Sequence, residues 1–156
     1  MPDFATNSGR FNLRVAGVCI NGGRVLLHSE DQIDFWVLPG GRPLLGETAA
    51  DALRREMREE LAVDIEVGPL LWVVENLFEL EGEAFHEIGF YFAMSPPSGL
   101  TVRDGVSSFT GYEGDIPLRF RWVALDELAT VRVLPAFLPS ALPRLPETPR
   151  HIIQRD

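Results

Sequence analysis

The stretch GRPLLGETAADALRREMREELAV, Gly41 to Val63, holds a loop and a helix in one run. Its helical half is clear. Thr48 stands where an N-cap belongs and Asp51 suits the first turn. Ala, Leu, Arg, Met and Glu, all good helix formers, fill the interior as far as Leu61. Successive helical residues turn by about 100°, so Glu56, Glu59 and Glu60 fall within an arc of about 100°. Leu53, Met57 and Leu61 form the adjacent apolar stripe that packs on a core. The three carboxylates therefore stand at the border of the buried face, where a cleft forms. Like charges one helical turn apart repel by roughly a few tenths of a kcal/mol per pair. A divalent cation removes that cost, and hard oxygen donors suit Mg²⁺ or Mn²⁺. A solvated charged face is the competing reading, with Arg54, Arg55 and Arg58 as compensating charges.

The segment in front of the helix separates the two readings. Phe35 to Leu38 is a short apolar piece that stops at Pro39-Gly40-Gly41, where the chain must turn sharply. Glycines let the backbone approach a metal or a phosphate and leave carbonyls free. Glu47 can brace the loop Arg42 to Gly46 against Arg55.

Gly41, Glu47, Arg55-Glu56 and Glu59-Glu60, at these spacings, resemble the signature of the Nudix hydrolases. That signature runs glycine, five residues, glutamate, seven residues, Arg-Glu, aliphatic, any residue, Glu-Glu, any residue, glycine, aliphatic. Ala62 departs from it, standing where the family has glycine. If the family glycine ends the helix with positive φ, alanine there costs roughly 1 kcal/mol. Leu38-Pro39-Gly40-Gly41 before the box and Arg121-Trp122-Val123-Ala124-Leu125-Asp126-Glu127-Leu128 near the end also look like the family, so the resemblance reaches from about Leu13 to Leu128.

The resemblance implies an α/β/α sandwich with a mixed sheet, the metal-binding helix on one side and a C-terminal helix on the other. It implies Glu56 and Glu60 as the main ligands of Mg²⁺ (or Mn²⁺), with the carbonyl of Gly40 as a further ligand. Glu59 would assist at the metal or activate water, and Gly41, Glu47 and Arg55 would support the site. Family members often recruit another carboxylate from the loop before the last strand. That loop here offers Asp104, Glu113 and Asp115, of which Glu113 is favoured by its position relative to Trp122. The implied reaction is attack of water on a nucleoside diphosphate linked to another moiety. Non-catalytic nucleotide sensors of the same fold lose box carboxylates, whereas all four glutamates and the arginine stand here. A protein-interaction domain is a further alternative, supported only by the Pro-rich end.

Substrate-binding residues are not legible. Phe35 and Trp36 could stack on a base or pack in the core, and Arg14 and Arg119 could bind phosphate or simply be solvated. His86 reads as a packed or hydrogen-bonded histidine. Phe78, Glu79, Leu80 and Glu81 stand where some subfamilies carry a proline or tyrosine substrate marker, so the leaving group stays open. Many relatives dimerise, so a homodimer is possible.

Composition bounds the rest. The 156 residues fit one domain, with a core over about residues 11–140. A net charge of -9 argues against an extended nucleic-acid surface but allows a small nucleotide-like substrate. The single cysteine, Cys19, excludes an internal disulfide and reads as a buried small hydrophobe. The polar N-terminus and the lack of an apolar run near the roughly 20 residues of a membrane span point to a cytoplasmic protein. Strands are expected over Leu13–Ile20 and Arg24–His28 around a hairpin at Asn21-Gly22-Gly23. One or two strands are expected over Ile65–Leu80, interrupted near Gly68-Pro69, and further strands over Ala84–Met94 and Leu118–Ala124. Ser95 to Pro117 reads as a long loop, Asp126 to Ala129 as the start of a helix, and the tail from Pro143 as irregular.

Overall fold

The computed structural model describes residues 3–156. Its strands are β1 (Asp3–Thr6), β2 (Gly9–Val18), β3 (Ile20–Asn21), β4 (Arg24–Glu30), β5 (Gly40–Gly41), β6 (Val67–Leu80), β7 (Glu83–Met94), β8 (Ser108–Glu113), β9 (Ile116–Ala124) and β10 (Arg150–Arg155). Helix α1 spans Ala49–Leu61 and the short α2 spans Leu138–Ala141, with a 3-10 helix over Leu125–Thr130 between β9 and α2.

Among the described residues one sheet runs β1-β2-β7-β6-β10, with β5 alongside β2, and a second runs β3-β4-β9-β8. The first is mixed: β2 pairs β7 and β10 pairs β6 in parallel, while β6 and β7 form an antiparallel hairpin. Strand β2 shows why the layers form. Its alternating side chains enter opposite cores. Val15 joins Ala52, Leu53 and Met57 of α1, with Phe120 and Trp122 of β9. Ala16 and Val18 join Trp72, Val74, Tyr91, Leu128, Leu138 and Leu142. The sheets are thus covered by α1 on one side and by the 3-10 helix and α2 on the other. This is the mixed α/β/α sandwich that the sequence resemblance implies.

Local signals behave as their chemistry dictates. The Thr48 side chain caps α1 by accepting from the Asp51 amide at 3.1 Å. Ala62 ends the helix in the left-handed region, at φ 56° and ψ 34°, its amide donating to the Arg58 carbonyl. The chain therefore makes the turn that favours glycine with an alanine. Cys19 is buried, and burial pushes its thiol up to about 12.

Two expectations need correction. The long loop from Ser95 to Pro117 contains a strand, β8, paired with β9 from Ser108↔Arg121 to Glu113↔Ile116. Phe109 stacks on Phe120 at 5.2 Å, a tertiary contact that outweighs the loop-like composition. The tail is not irregular throughout: β10 pairs β6 from Arg150↔Trp72 to Arg155↔Leu77. An exposed contact of 2.6 Å between His151 and Glu75 accompanies that pairing. The expected interruption near Gly68-Pro69 is present as a pair of register shifts within the single strand β6.

Candidate functional site

Helix α1 carries Glu56, Glu59 and Glu60 on the side nearest β5 and β8. Glu60 is 5% exposed, and its Oε2 makes no hydrogen bond. Burial, and then repulsion by Glu56 and Glu113, pushes its carboxyl up to about 9. Burial also raises Glu56, opposed by its hydrogen bond to Arg55 and reinforced by Glu59 and Glu113. Glu113 stands at the end of β8, within electrostatic reach of both carboxylates although it is distant from them along the chain. The strand that composition disguised as a loop is what delivers it.

Arg55 organises the front of the site. Its Nε and Nη2 donate to the two oxygens of Glu47 at 2.9 and 3.0 Å, a bidentate grip. Nη2 also donates to the Arg42 carbonyl at 3.2 Å, while Nη1 donates to Glu56 at 3.0 Å and to Glu59 at 3.2 Å. Glu47 in turn accepts from the Leu44 amide at 3.0 Å. Loop, brace and helix are therefore one network. The Arg55 hydrogen bond is the main reason that Glu47 is held below the usual carboxylate range.

The glycines are sites of close approach. A Cβ on Gly41 would lie 2.4 Å from Cδ of Glu56, so any other residue there would displace that carboxylate from its place. A Cβ on Gly40 would meet the Val15 carbonyl at 2.0 Å, where β5 pairs with β2. Gly111 does the same for β8, where a Cβ would lie 2.7 Å from the Glu60 carbonyl.

Beside this group opens a cavity of about 430 Å³. Arg14 connects the two. It lines the cavity, donates to the Leu38 carbonyl at 2.7 Å and lowers Glu60 by its charge. Phe35, Phe78, Tyr91 and Leu138 form apolar walls, and Asn76 and Glu87 add buried polar groups.

A family model for the NUDIX domain matches residues 11–145, most of the chain. The chain belongs to the Nudix family. Solved structures share the fold of this Nudix domain. An ADP-ribose pyrophosphatase from Streptococcus suis aligns at TM-score 0.59 and 15% identity, over 92% of this chain and 98% of that one. A MutT protein from Bacillus halodurans aligns at TM-score 0.63 and 16% identity, over 90% and 89%. A UDP-X diphosphatase aligns at TM-score 0.60 and 16% identity, over 96% and 68%.

Within the Nudix box the expected residues are partly assembled. Glu56 and Glu60 face one another electrostatically and Glu113 joins them. Glu59 is turned toward Arg55 instead, with its side chain 60% exposed. In that arrangement no three His, Cys, Asp or Glu side chains among the described residues converge closely enough to grip one ion. The donor set nevertheless fits a hard divalent cation: mutually repelling carboxylates, one of them buried with an unpartnered oxygen. Asp104 is exposed and bound into its own turn by Thr101, apart from this group.

The stacking candidates separate. Phe35 lines the cavity, with the Arg132 guanidinium 5.8 Å from its ring centroid. Trp36 lies outside it, under Arg119 and Arg121 at 5.2 and 5.9 Å. Arg119 is thereby accounted for as a surface partner of Trp36 and Asp31. His86 lies exposed against Phe11. Asn12, Asn76 and Glu87 went unnoticed as candidates. A signal exists for two of them: Asn76 alternates with Val74 and Phe78, and Glu87 with Phe85 and Gly89, whereas Asn12 stands between Arg10 and Arg14 and carries none.

Proposed function

We propose that this protein is a metal-dependent hydrolase that cleaves the diphosphate linkage of a nucleoside diphosphate joined to another moiety. Family membership makes it a Nudix-type pyrophosphohydrolase. The observation that carries the finer reading is Glu60, buried with an unpartnered Oε2 and within electrostatic reach of Glu56 and Glu113, beside a cavity lined by Arg14. Glu56, Glu59 and Glu60, with the Gly40 carbonyl, would hold Mg²⁺ (or Mn²⁺). Bound there, the cation would neutralise diphosphate oxygens and lower the pKa of a water.

The chain's own groups do the rest. Arg55 fixes the Glu56 carboxylate, and Glu47 fixes Arg55. Glu59, the exposed member, takes the proton from the attacking water, with Glu113 as the second carboxylate at that edge. Water oxygen bonds to phosphorus, the anhydride P–O bond breaks, and the bridging oxygen leaves on the second phosphate. Arg14 offers its charge between cavity and carboxylates, where it can bind the phosphate chain. The solved structures named for ADP-ribose and UDP-X make sugar-linked nucleoside diphosphates the first substrates to try.

The test is incubation with Mg²⁺ or Mn²⁺ and a panel of nucleoside triphosphates, nucleotide sugars, dinucleoside polyphosphates and dinucleotides. Turnover that needs the metal and disappears in Glu60→Gln supports the enzyme. Tight binding without turnover across the panel would make the protein a nucleotide sensor instead.

A further inference from the structure

We propose that Glu87 recognises a pair of adjacent hydrogen-bond donors on the substrate's nucleoside part, with Asn76 beside it and Asn12 fixing its carboxylate. The inference rests on the nucleotide reading above and assigns the part of the substrate that lies away from the metal.

The three residues are cross-strand neighbours. On the mixed sheet Asn12 of β2 stands opposite Glu87 of β7, and Glu87 opposite Asn76 of β6. Adjacent strands lie about 4.8 Å apart, so three polar side chains form a row on one face. They are 1%, 8% and 7% exposed. Such a row on the inner strands of a sheet is costly unless its hydrogen bonds are made. Only part of them is made within the chain. Asn12 Nδ2 donates to Glu87 Oε2 at 2.7 Å. A carboxylate only accepts, so the atom facing it must be the amide nitrogen, which fixes the orientation of Asn12. The bond from Asn12 engages Oε2 and not Oε1 of Glu87, and the carbonyl oxygens of Asn12 and Asn76 are unpartnered.

Glu87 and Asn76 line the cavity, whose walls include Phe35 and Phe78. Aromatic walls with a few fixed polar groups are the usual make-up of a small-molecule site. The chemistry of the polar groups selects the ligand. A carboxylate repels phosphate, so the diphosphate belongs on the Arg14 side, toward Glu60. What meets Glu87 must donate. Two parts of a nucleoside present adjacent donors: the N1–H and N2–H₂ edge of guanine, and the cis-diol of ribose.

Calorimetric titration of the full chain without metal separates these. The probes are the 5′-monophosphates of guanosine, inosine, 2′,3′-dideoxyguanosine and adenosine. Guanosine monophosphate is expected to bind, and Glu87→Gln to weaken it at least tenfold while the melting temperature stays near that of the parent. Weaker binding of the inosine nucleotide alongside full binding of the dideoxy one identifies the guanine edge. The reverse pattern identifies the diol. Equal affinity for all four, no binding of any, or unchanged affinity in Glu87→Gln overturns the proposal. If Glu87→Gln does not fold, Asn76→Ala read in the same way decides. Glu87-dependent binding without hydrolysis would sink the enzyme reading alone, and hydrolysis indifferent to Glu87 would sink this one alone.

Discussion

Arg55 shows how much one side chain can carry at this site. Its guanidinium joins Glu47, Glu56, Glu59 and the Arg42 carbonyl. Lysine keeps the charge but cannot grip Glu47 through two parallel bonds. Arg55→Lys is therefore expected to lower kcat by roughly 10- to 100-fold through misplacement of Glu56, with the fold retained. Near-parent kcat in a steady-state assay would show that the brace is dispensable. Ala62 makes the opposite point: it occupies φ 56° without being glycine. Ala62→Gly should relieve that strain and raise stability by about 1 kcal/mol, read from the urea midpoint, with catalysis unchanged. A lower midpoint would mean that the flexibility of glycine in the unfolded chain outweighs the strain.

At the scale of elements, α1 is the unit that matters. Its N-terminus is held by the Thr48 cap and its outer face by ion pairs such as Arg54 with Asp51. The ion pairs are exposed and contribute little. Thr48→Ala should cost about 1 kcal/mol, seen as a lower melting temperature. Because α1 also carries the carboxylates, added metal should recover part of that loss. Helix α1 was legible residue by residue, since capping, propensity and apolar spacing all agree over Ala49–Leu61. Strands β8 and β10 were not. The segment around β8 is rich in Gly, Ser and Pro and that around β10 in Pro and charge, and both become strands because β9 and β6 offer open edges to pair with.

For the whole molecule, the pH response follows from a half-buried histidine whose two ring nitrogens are shielded from solvent. His28 of β4 stacks on Phe120 of β9 with centroids 5.3 Å apart. Burial, and then the charge of Arg14, lower its pKa from 6.5 to about 3. The unfolded chain therefore takes up a proton first as the pH falls. The stability associated with neutral His28 is complete above pH 6.5 and is lost progressively down to about pH 3. His28→Leu should flatten the stability curve between those limits in denaturant titrations. A variant curve parallel to the parent's would assign the acid sensitivity to the carboxylates instead.

The carboxylate-bearing helix, the glycine-rich entry, the bracing pair Glu47 and Arg55, and through them the family, were legible in the sequence. These features are local: caps, helical periodicity and fixed short spacings write themselves into contiguous residues. Tertiary structure alone decided what lies opposite them. It brought Glu113 to Glu60 through a strand that composition conceals, turned Arg14 from a surface candidate into the link between cavity and carboxylates, and set Asn12, Glu87 and Asn76 in one row. The physical reason is register. Which side chains face each other across a mixed sheet depends on how distant strands pair, and spacing along the chain does not encode that.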